Sequence, residues 1–494
     1  MPSVSRTMIN FENVCYSYPK AKKYALEGIN VSVSQGEFLA VMGENGSGKT
    51  TFCKLVNGII PHLTGGRLSG SVTVDGVKTA ESSVAQLALK AGIVLDDPDA
   101  QIFTSTVRHE AAFGPENLLL PPQEIEERVK QALSAVGLAG FEDRQPSTLS
   151  GGEKQRLAIA CALAMKGEIL VLDEPLCRLD PQGAQEVMSV IMEIRQRFQI
   201  TVIMTANSAK MLEFADRVCV LKDGRIAACD TAKNIFADHK LLEENGIQPP
   251  FNIDIFSTFS VNTEKPPETD LKIQAVEIKD FCYSYENGNA RIENINLKIA
   301  DNDFAAIVGR NGCGKTTLLK SITGLLRPSS GEIFIRGRNA KELSVSDISK
   351  EAGFVMQNPD NQLFTDSVYK EIAYALRITR LSKAEIKQRV EDAICAVGLE
   401  DADEFPHALS RADRAKTVIA CIIAMGCKII ILDEVDAGQD YRGSRHIMNI
   451  ARDLHSRGFT IIFVTHNMTL AHEYANRLII MERKGITFDG KRNS

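Results

Sequence analysis

Gly43-Glu44-Asn45-Gly46-Ser47-Gly48-Lys49-Thr50-Thr51 stands near the start of the chain, and Gly309-Arg310-Asn311-Gly312-Cys313-Gly314-Lys315-Thr316-Thr317 repeats it in the second half. Each stretch follows a short apolar run, Phe38–Met42 or Phe304–Val308, and precedes a helix-like one. Glycines let a backbone curl until several N–H groups point at one centre. The helix that follows adds the positive end of its dipole. Together they make a cradle for a phosphate chain. Lys49 and Lys315 are placed to reach the β- and γ-phosphates of a nucleotide, and the hydroxyls of Thr50 and Thr316 to hold Mg²⁺. Strand, glycine loop and helix in this order predict an α/β core with a parallel sheet.

The repeat extends well beyond the loops. Lys49 maps to Lys315 at an offset of 266, and Asp173 maps to Asp433 at an offset of 260. The second copy is therefore slightly shorter, and residues 61–69 are the expected place, because Gly70 and Gly331 already match at 261. Val14-Cys15-Tyr16-Ser17-Tyr18 and Phe281-Cys282-Tyr283-Ser284-Tyr285 open the two copies. A period this long predicts tandem domains, here residues 1–246 and 273–494. Residues 247–272 carry Gln248-Pro249-Pro250 and Glu264-Lys265-Pro266-Pro267-Glu268 and are expected to form an extended linker. Residues 124–136 and 384–397 show helical apolar spacing, and residues 200–205 and 460–465 are strand-like.

Ile169-Leu170-Val171-Leu172-Asp173-Glu174 and Ile429-Ile430-Ile431-Leu432-Asp433-Glu434 each set two carboxylates at the end of an apolar strand. Adjacent strand residues point to opposite faces, so the two acids do different work. Asp173 and Asp433 are expected in the Mg²⁺ shell. Glu174 and Glu434 are expected to accept a proton from an attacking water.

These loops and acids, with Leu149-Ser150-Gly151-Gly152-Glu153-Lys154-Gln155-Arg156, resemble the ABC-type ATPases over both halves, nearly end to end. The resemblance implies two P-loop domains that bind ATP and Mg²⁺, each with a parallel-sheet core, an antiparallel β subdomain and a helical subdomain. It also implies that the signature phrase of one domain closes over the nucleotide of the other. Ser150, Gly151 and Gly152 would then meet the γ-phosphate with a helix N-terminus. Tyr18 and Tyr285 match the position that stacks on adenine. A narrower resemblance rests on residues 98–107, PDAQIFTSTV, on Ala112-Phe113-Gly114-Pro115-Glu116-Asn117, and on Asn358-Pro359-Asp360-Asn361-Gln362-Leu363-Phe364. These look like the ATPase component of energy-coupling factor importers of vitamins and transition-metal ions. That family implies a transmembrane T component whose coupling helix docks in a groove, for which Ile102, Phe103, Leu363 and Phe364 are candidates. It also implies a substrate-binding S component.

The copies depart from the family pattern in complementary ways. The first has Asp96 where the second has Gln357, and Ala206 where the second has His466. The second has Ser410-Arg411-Ala412 where the first keeps Ser150-Gly151-Gly152. A head-to-tail pairing within the chain would put Lys315, Gln357, Glu434 and His466 with the intact signature. It would put Lys49, Asp96, Glu174 and Ala206 with the altered one. One competent site and one degenerate site are expected, with Glu434, His466 and Gln357 carrying catalysis.

Composition narrows the function. Across 494 residues the net charge is −6, which argues against a protein that coats nucleic acid. The segment Met1-Pro2-Ser3-Val4-Ser5-Arg6 lacks the apolar core of a signal peptide. No apolar run approaches the roughly 18–20 residues that span a bilayer. A peripheral position on the cytoplasmic face of a membrane, reached through partners, is therefore expected. The 11 cysteines include no C-x-x-C pair, so neither a zinc site nor a disulfide framework is expected. A soluble tandem ABC ATPase of translation or DNA repair is the alternative, although such relatives usually carry two good signatures and a long charged linker. A clamp with negligible hydrolysis is a third reading, opposed by the intact Glu434 and His466.

Overall fold

The computed structural model describes residues 6–177, 179–209, 212–250, 258–261, 274–285, 291–377, 379, 381–482 and 485–493. Internal contacts divide the chain into two units, Met1–Pro250 and Phe251–Ser494. Each is an α/β domain, and the two are built alike.

In the first unit six strands lie in the order Arg225–Thr231, Arg217–Lys222, Phe38–Met42, Thr201–Ala206, Ile169–Leu172, Ala91–Val94. All neighbours pair parallel except the first two. The central strands are short apolar runs because both of their faces are covered. Along Phe38–Met42 the side chains alternate between two cores. Phe38, Ala40 and Met42 pack with the helices Val107–Asn117, Pro122–Ala135 and Gly151–Ala164. Leu39 and Val41 pack beneath a four-stranded antiparallel sheet, Leu26–Ser34, Thr7–Ser17, Arg67–Val74, Val77–Lys78.

The second unit repeats this plan. Its main sheet runs Phe259–Val261, Gly485–Arg492, Arg477–Glu482, Phe304–Val308, Thr460–Val464, Ile429–Asp433, Ala352–Val355. Phe304, Ala306 and Val308 face the helical side, and Ala305 and Ile307 face the antiparallel sheet. The helices expected at residues 124–136 and 384–397 form as Pro122–Ala135 and Lys383–Val397. The length difference between the copies appears after the first loop helix. Lys49–Val56 is followed by a short helix, Ile59–His62, before the strand Arg67–Val74, whereas Lys315–Ile322 leads to Ser330–Ile335 with no helix between.

The stretch expected to link the domains is partly built into them. Ile247 is buried in the core of the first unit. Phe259–Val261 pairs antiparallel with Gly485–Arg492 as the edge of the second sheet, and Phe259 is buried. The Pro266-Pro267 pair lies outside the described residues.

Parallel strands present their carboxyl ends on one edge, where ligands of open α/β sheets bind. Met42, Val94, Leu172 and Ala206 end there in the first unit, and Val308, Val355, Asp433 and Val464 in the second.

Candidate functional site

Both glycine loops leave that edge, and their conformations admit little but glycine. Gly43 has φ +153°, and a Cβ there would stand 2.3 Å from the Leu221 carbonyl oxygen. A Cβ on Gly309 would stand 2.1 Å from the Met481 carbonyl oxygen. Gly48 and Gly314, with φ of 107° and 104°, each precede a helix that starts at the lysine. Inside the first loop Lys49 Nζ donates to the carbonyls of Gly43 (2.8 Å) and Glu44 (3.1 Å) and lies 3.2 Å from Glu174 Oε1. Lys315 Nζ likewise donates to Gly309 (2.8 Å) and Arg310 (3.1 Å) and lies 3.7 Å from Glu434 Oε1. Both lysines are buried.

The strand-end acids arrive beside the threonines that follow each lysine. The Thr50 hydroxyl hydrogen-bonds Asp173, and Thr316 Oγ1 donates to Asp433 Oδ1 at 3.2 Å. Asp173 Oδ2 and Ser47 Oγ are buried without a hydrogen-bond partner among the described residues. Burial pushes Asp433 up to about 6, against the Thr316 hydrogen bond. Desolvated carboxylates beside a hydroxyl, with lone pairs to spare, suit a hard divalent cation. Thr50 and Asp173, and Thr316, Asp433 and Gln357, are the groups that would hold Mg²⁺ with ATP.

Glu174 and Glu434 both adopt left-handed backbone, with φ of 46° and 47°. Non-glycine residues rarely hold that conformation except where surroundings enforce it, and such residues cluster at functional sites. The surroundings of the two differ. Glu434 Oε2 accepts from Gln357 Nε2 at 2.9 Å, and His466 Nε2 lies 2.9 Å from Oε1. Burial raises the Glu434 pKa, but His466 and Lys315 more than offset it, and the carboxyl sits below its usual range. Glu174 goes the other way. Burial, with Asp173 and Asp96, raises it despite Lys49. Asp96 adds negative charge beside Glu174. Ala206 ends its strand without a donor, but the next residue partly fills the gap. Asn207 Nδ2 reaches Glu174 Oε2 at 3.3 Å and Asn45 Oδ1 at 3.4 Å.

The loops after the acids also differ. In the first unit Thr205 Oγ1 donates to Asp173 Oδ1 at 2.8 Å. In the second, Asp436 takes the matching hydroxyl, Thr465 Oγ1, at 2.6 Å. Burial pushes Asp436 up to about 6. Asn207 did not stand out in the sequence, whereas Asp436 lies in the loop Val435-Asp436-Ala437-Gly438-Gln439-Asp440, which departs from the first copy's Pro175-Leu176-Cys177-Arg178-Leu179-Asp180.

The signature phrases open helices. Ser150 caps Gly151–Ala164 in a reciprocal box with Glu153, and Ser410 caps Arg411–Met425 through the Asp413 N–H. Ser410 Oγ also donates to Asp413 Oδ2 at 2.6 Å. Ala412 follows in the first turn. Arg411 reaches back across its own unit, Nη2 donating to the Gln357 carbonyl at 3.0 Å. Tyr18 and Tyr285 lie beside their loops. Their hydroxyls pair with Thr51 Oγ1 (3.0 Å) and Thr317 Oγ1 (2.9 Å), and the Tyr285 ring is exposed.

A second surface is repeated as well. Phe103 and Phe113 meet edge to face at 4.8 Å, and so do Phe364 and Tyr374. All four rings are exposed, Phe103 by 66% and Phe364 by 64%. Leu363, expected to line a groove, is buried instead, and Ile102 packs partly against the first core. The turns are held from below. Glu110 Oε2 accepts the N–H groups of Phe103 (3.1 Å) and Thr104 (2.7 Å), and Glu371 Oε2 those of Phe364 (3.0 Å) and Thr365 (2.8 Å). Both glutamates are buried. Each turn is also tied to the signature helix, by Lys154 to Asp99 at 2.6 Å and by Arg414 to Asp360. Among the described residues no helix is long and apolar enough to cross a membrane.

The ABC transporter family model matches residues 26–177 and again residues 292–437, together more than half of the chain. A protein of Caldanaerobacter subterraneus subsp. tengcongensis, provisionally named an ABC transporter ATP-binding protein, is 36% identical over 99% of this chain and 92% of its own length. One of Methanosarcina acetivorans with the same provisional name is also 36% identical, over 98% of this chain and 85% of its own. Among solved structures, cbiO1 from Clostridium perfringens, part of the ABC transporter complex cbiONQ, is 33% identical. It covers 48% of this chain and 94% of its own, with a TM-score of 0.44. Two phosphate loops with their lysines, strand-end acids and signature helices, matched over both halves, have one reading. The chain belongs to the ABC transporter family as an ATP-binding protein and is an ATPase made of two tandem ABC domains.

Proposed function

We propose that this ATPase powers an energy-coupling factor importer of vitamins or transition-metal ions. It works from the cytoplasmic face of a membrane, with a transmembrane T component and a substrate-binding S component as partners. The two domains pair head to tail. Lys315, Gln357, Glu434 and His466 then work with Ser150, Gly151 and Gly152, and Tyr285 stacks on adenine. Glu434 takes a proton from water as its oxygen bonds to the γ-phosphorus. The bond to the bridging oxygen breaks, and ADP and phosphate leave. Lys49, Asp96, Glu174 and Ala206, with Tyr18 on the base and Ser410, Arg411 and Ala412 opposite, form a site that binds nucleotide and turns over slowly.

The observation that carries the importer reading is the exposed aromatic pair in both copies, within the segments that resemble the importer ATPases. A chain that moves a membrane partner must transmit force by contact. Apolar anchors on a stiff turn suit helix-in-groove docking. Phe103→Asp combined with Phe364→Asp tests this in membrane fractionation, beside a thermal melt and a nucleotide-binding assay. Both rings are exposed, so the melt is expected within about 0.5 kcal/mol per site of the parent. Release from membranes with nucleotide binding retained is the expected result. A stable variant that still co-sediments with its partner defeats the assignment.

A further inference from the structure

Arg411 stands where the first copy has Gly151. As a signature residue it is damage, because it replaces the glycine that lets a helix N-terminus approach phosphate. Its contacts say something more. Nη2 donates to the Gln357 carbonyl at 3.0 Å. Nη1 lies 3.0 Å from where a Cβ on Gly438 would stand, and Gly438 has φ +70°. The guanidinium therefore spans the start of the helix Arg411–Met425, the turn at Gln357, and the loop that follows Glu434. Gln357 is in turn bound to the base, its Nε2 donating to Glu434 Oε2 at 2.9 Å. Arg411 fixes the backbone of the residue whose side chain fixes the base. A planar guanidinium with rigid donors suits such bracing better than a flexible ammonium. The first copy has no counterpart. Gly151 has no side chain to reach back, and Asp96 cannot donate to Glu174.

We propose that Arg411 is a positioning residue for hydrolysis in its own domain, acting through Gln357 on Glu434. The substitution that weakens one signature phrase thereby supports the chemistry of the domain that carries it. This rests on the reading of Glu434 as the base.

The test is steady-state ATPase kinetics of the full chain, with thermal melts as controls. Arg411→Ala is expected to lower kcat about tenfold, short of the 10²-fold that a misplacement of about 1 Å can cause. KM for ATP at the Lys315 site is expected to change less than about twofold, since there Arg411 acts on the base and not on ground-state binding. Arg411→Lys, which keeps a donor, recovers part of the loss. In a Gln357→Ala background Arg411→Ala adds little, because the link through which it acts is gone. An unchanged kcat overturns the inference, and so does the same fold loss in both backgrounds. If Arg411→Ala does not fold, Arg411→Lys and Arg411→Gln decide. Gln must lower kcat more than Lys, and the reverse order also overturns it. Glu434→Gln is measured in parallel. If that variant keeps its turnover, the reading of the base itself has failed, whatever Arg411 does.

Discussion

Glu434→Gln removes one negative charge and keeps the side chain's shape. Its carbonyl can still accept from Gln357 Nε2, which lies 2.9 Å from Oε2 in the parent. The side chain should stay in place, so the loss should fall on kcat and not on ATP binding. An amide cannot take a proton from water, and loss of a general base typically lowers rates about 10²–10⁴-fold. That corresponds to about 3–5 kcal/mol of barrier. Glu174→Gln is the internal control. Burial, with Asp173 and Asp96, raises its pKa, and Ala206 stands where the second copy has His466. Glu174 belongs to the site proposed to turn over slowly, so its replacement is expected to lower turnover by less than about tenfold. The assay is phosphate release at saturating ATP, with nucleotide binding measured separately. Equal losses in the two variants would refute the asymmetric reading. So would full activity after Glu434→Gln.

Two further outcomes follow from the local geometry. Glu110→Ala and Glu371→Ala each leave two N–H groups of an aromatic turn without their carboxylate. Each is expected to lower stability by about 2 kcal/mol or more, read from urea denaturation, and an unmoved midpoint contradicts the pinning role. Cys229 is held down to about 6 by a hydrogen bond from the Cys219 thiol and by Arg217, against its burial. Its thiolate therefore predominates above that pH and is lost below it. Alkylation followed by peptide mass spectrometry should show a rate that rises through about pH 6 and then levels, with the midpoint moved upward by Arg217→Ala; a midpoint unmoved by that change would contradict the pairing.

The parts of this molecule that could be read ahead of its structure are those whose chemistry demands particular residue types at short spacing. The glycine loops, Lys49 and Lys315, and the acids at strand ends belong to this class, since backbone sterics and phosphate charge leave few alternatives. The buried parallel strands were legible for the same reason, as short apolar runs covered on both faces. Contacts made across turns were not. Nothing in the spacing says that Leu363 turns inward while Phe364 turns out, because the choice depends on Glu371, seven residues past Phe364, in the helix Val368–Leu376. The inward reach of Arg411, the capture of Thr465 by Asp436 and the donor supplied by Asn207 likewise depend on loops that meet only in the folded unit. Phe259–Val261 is three residues long, too short for any period to show.

The ion pairs from Lys154 to Asp99 and from Arg414 to Asp360 give each unit a mechanical linkage. One end is the helix that begins at the signature phrase, and the other is the turn that presents Phe103 or Phe364. A tilt of the helix would be felt at the turn through this pair. The second unit keeps this linkage although its signature glycines are gone. The asymmetry proposed for the chemistry is thus not repeated in this linkage, which both units keep.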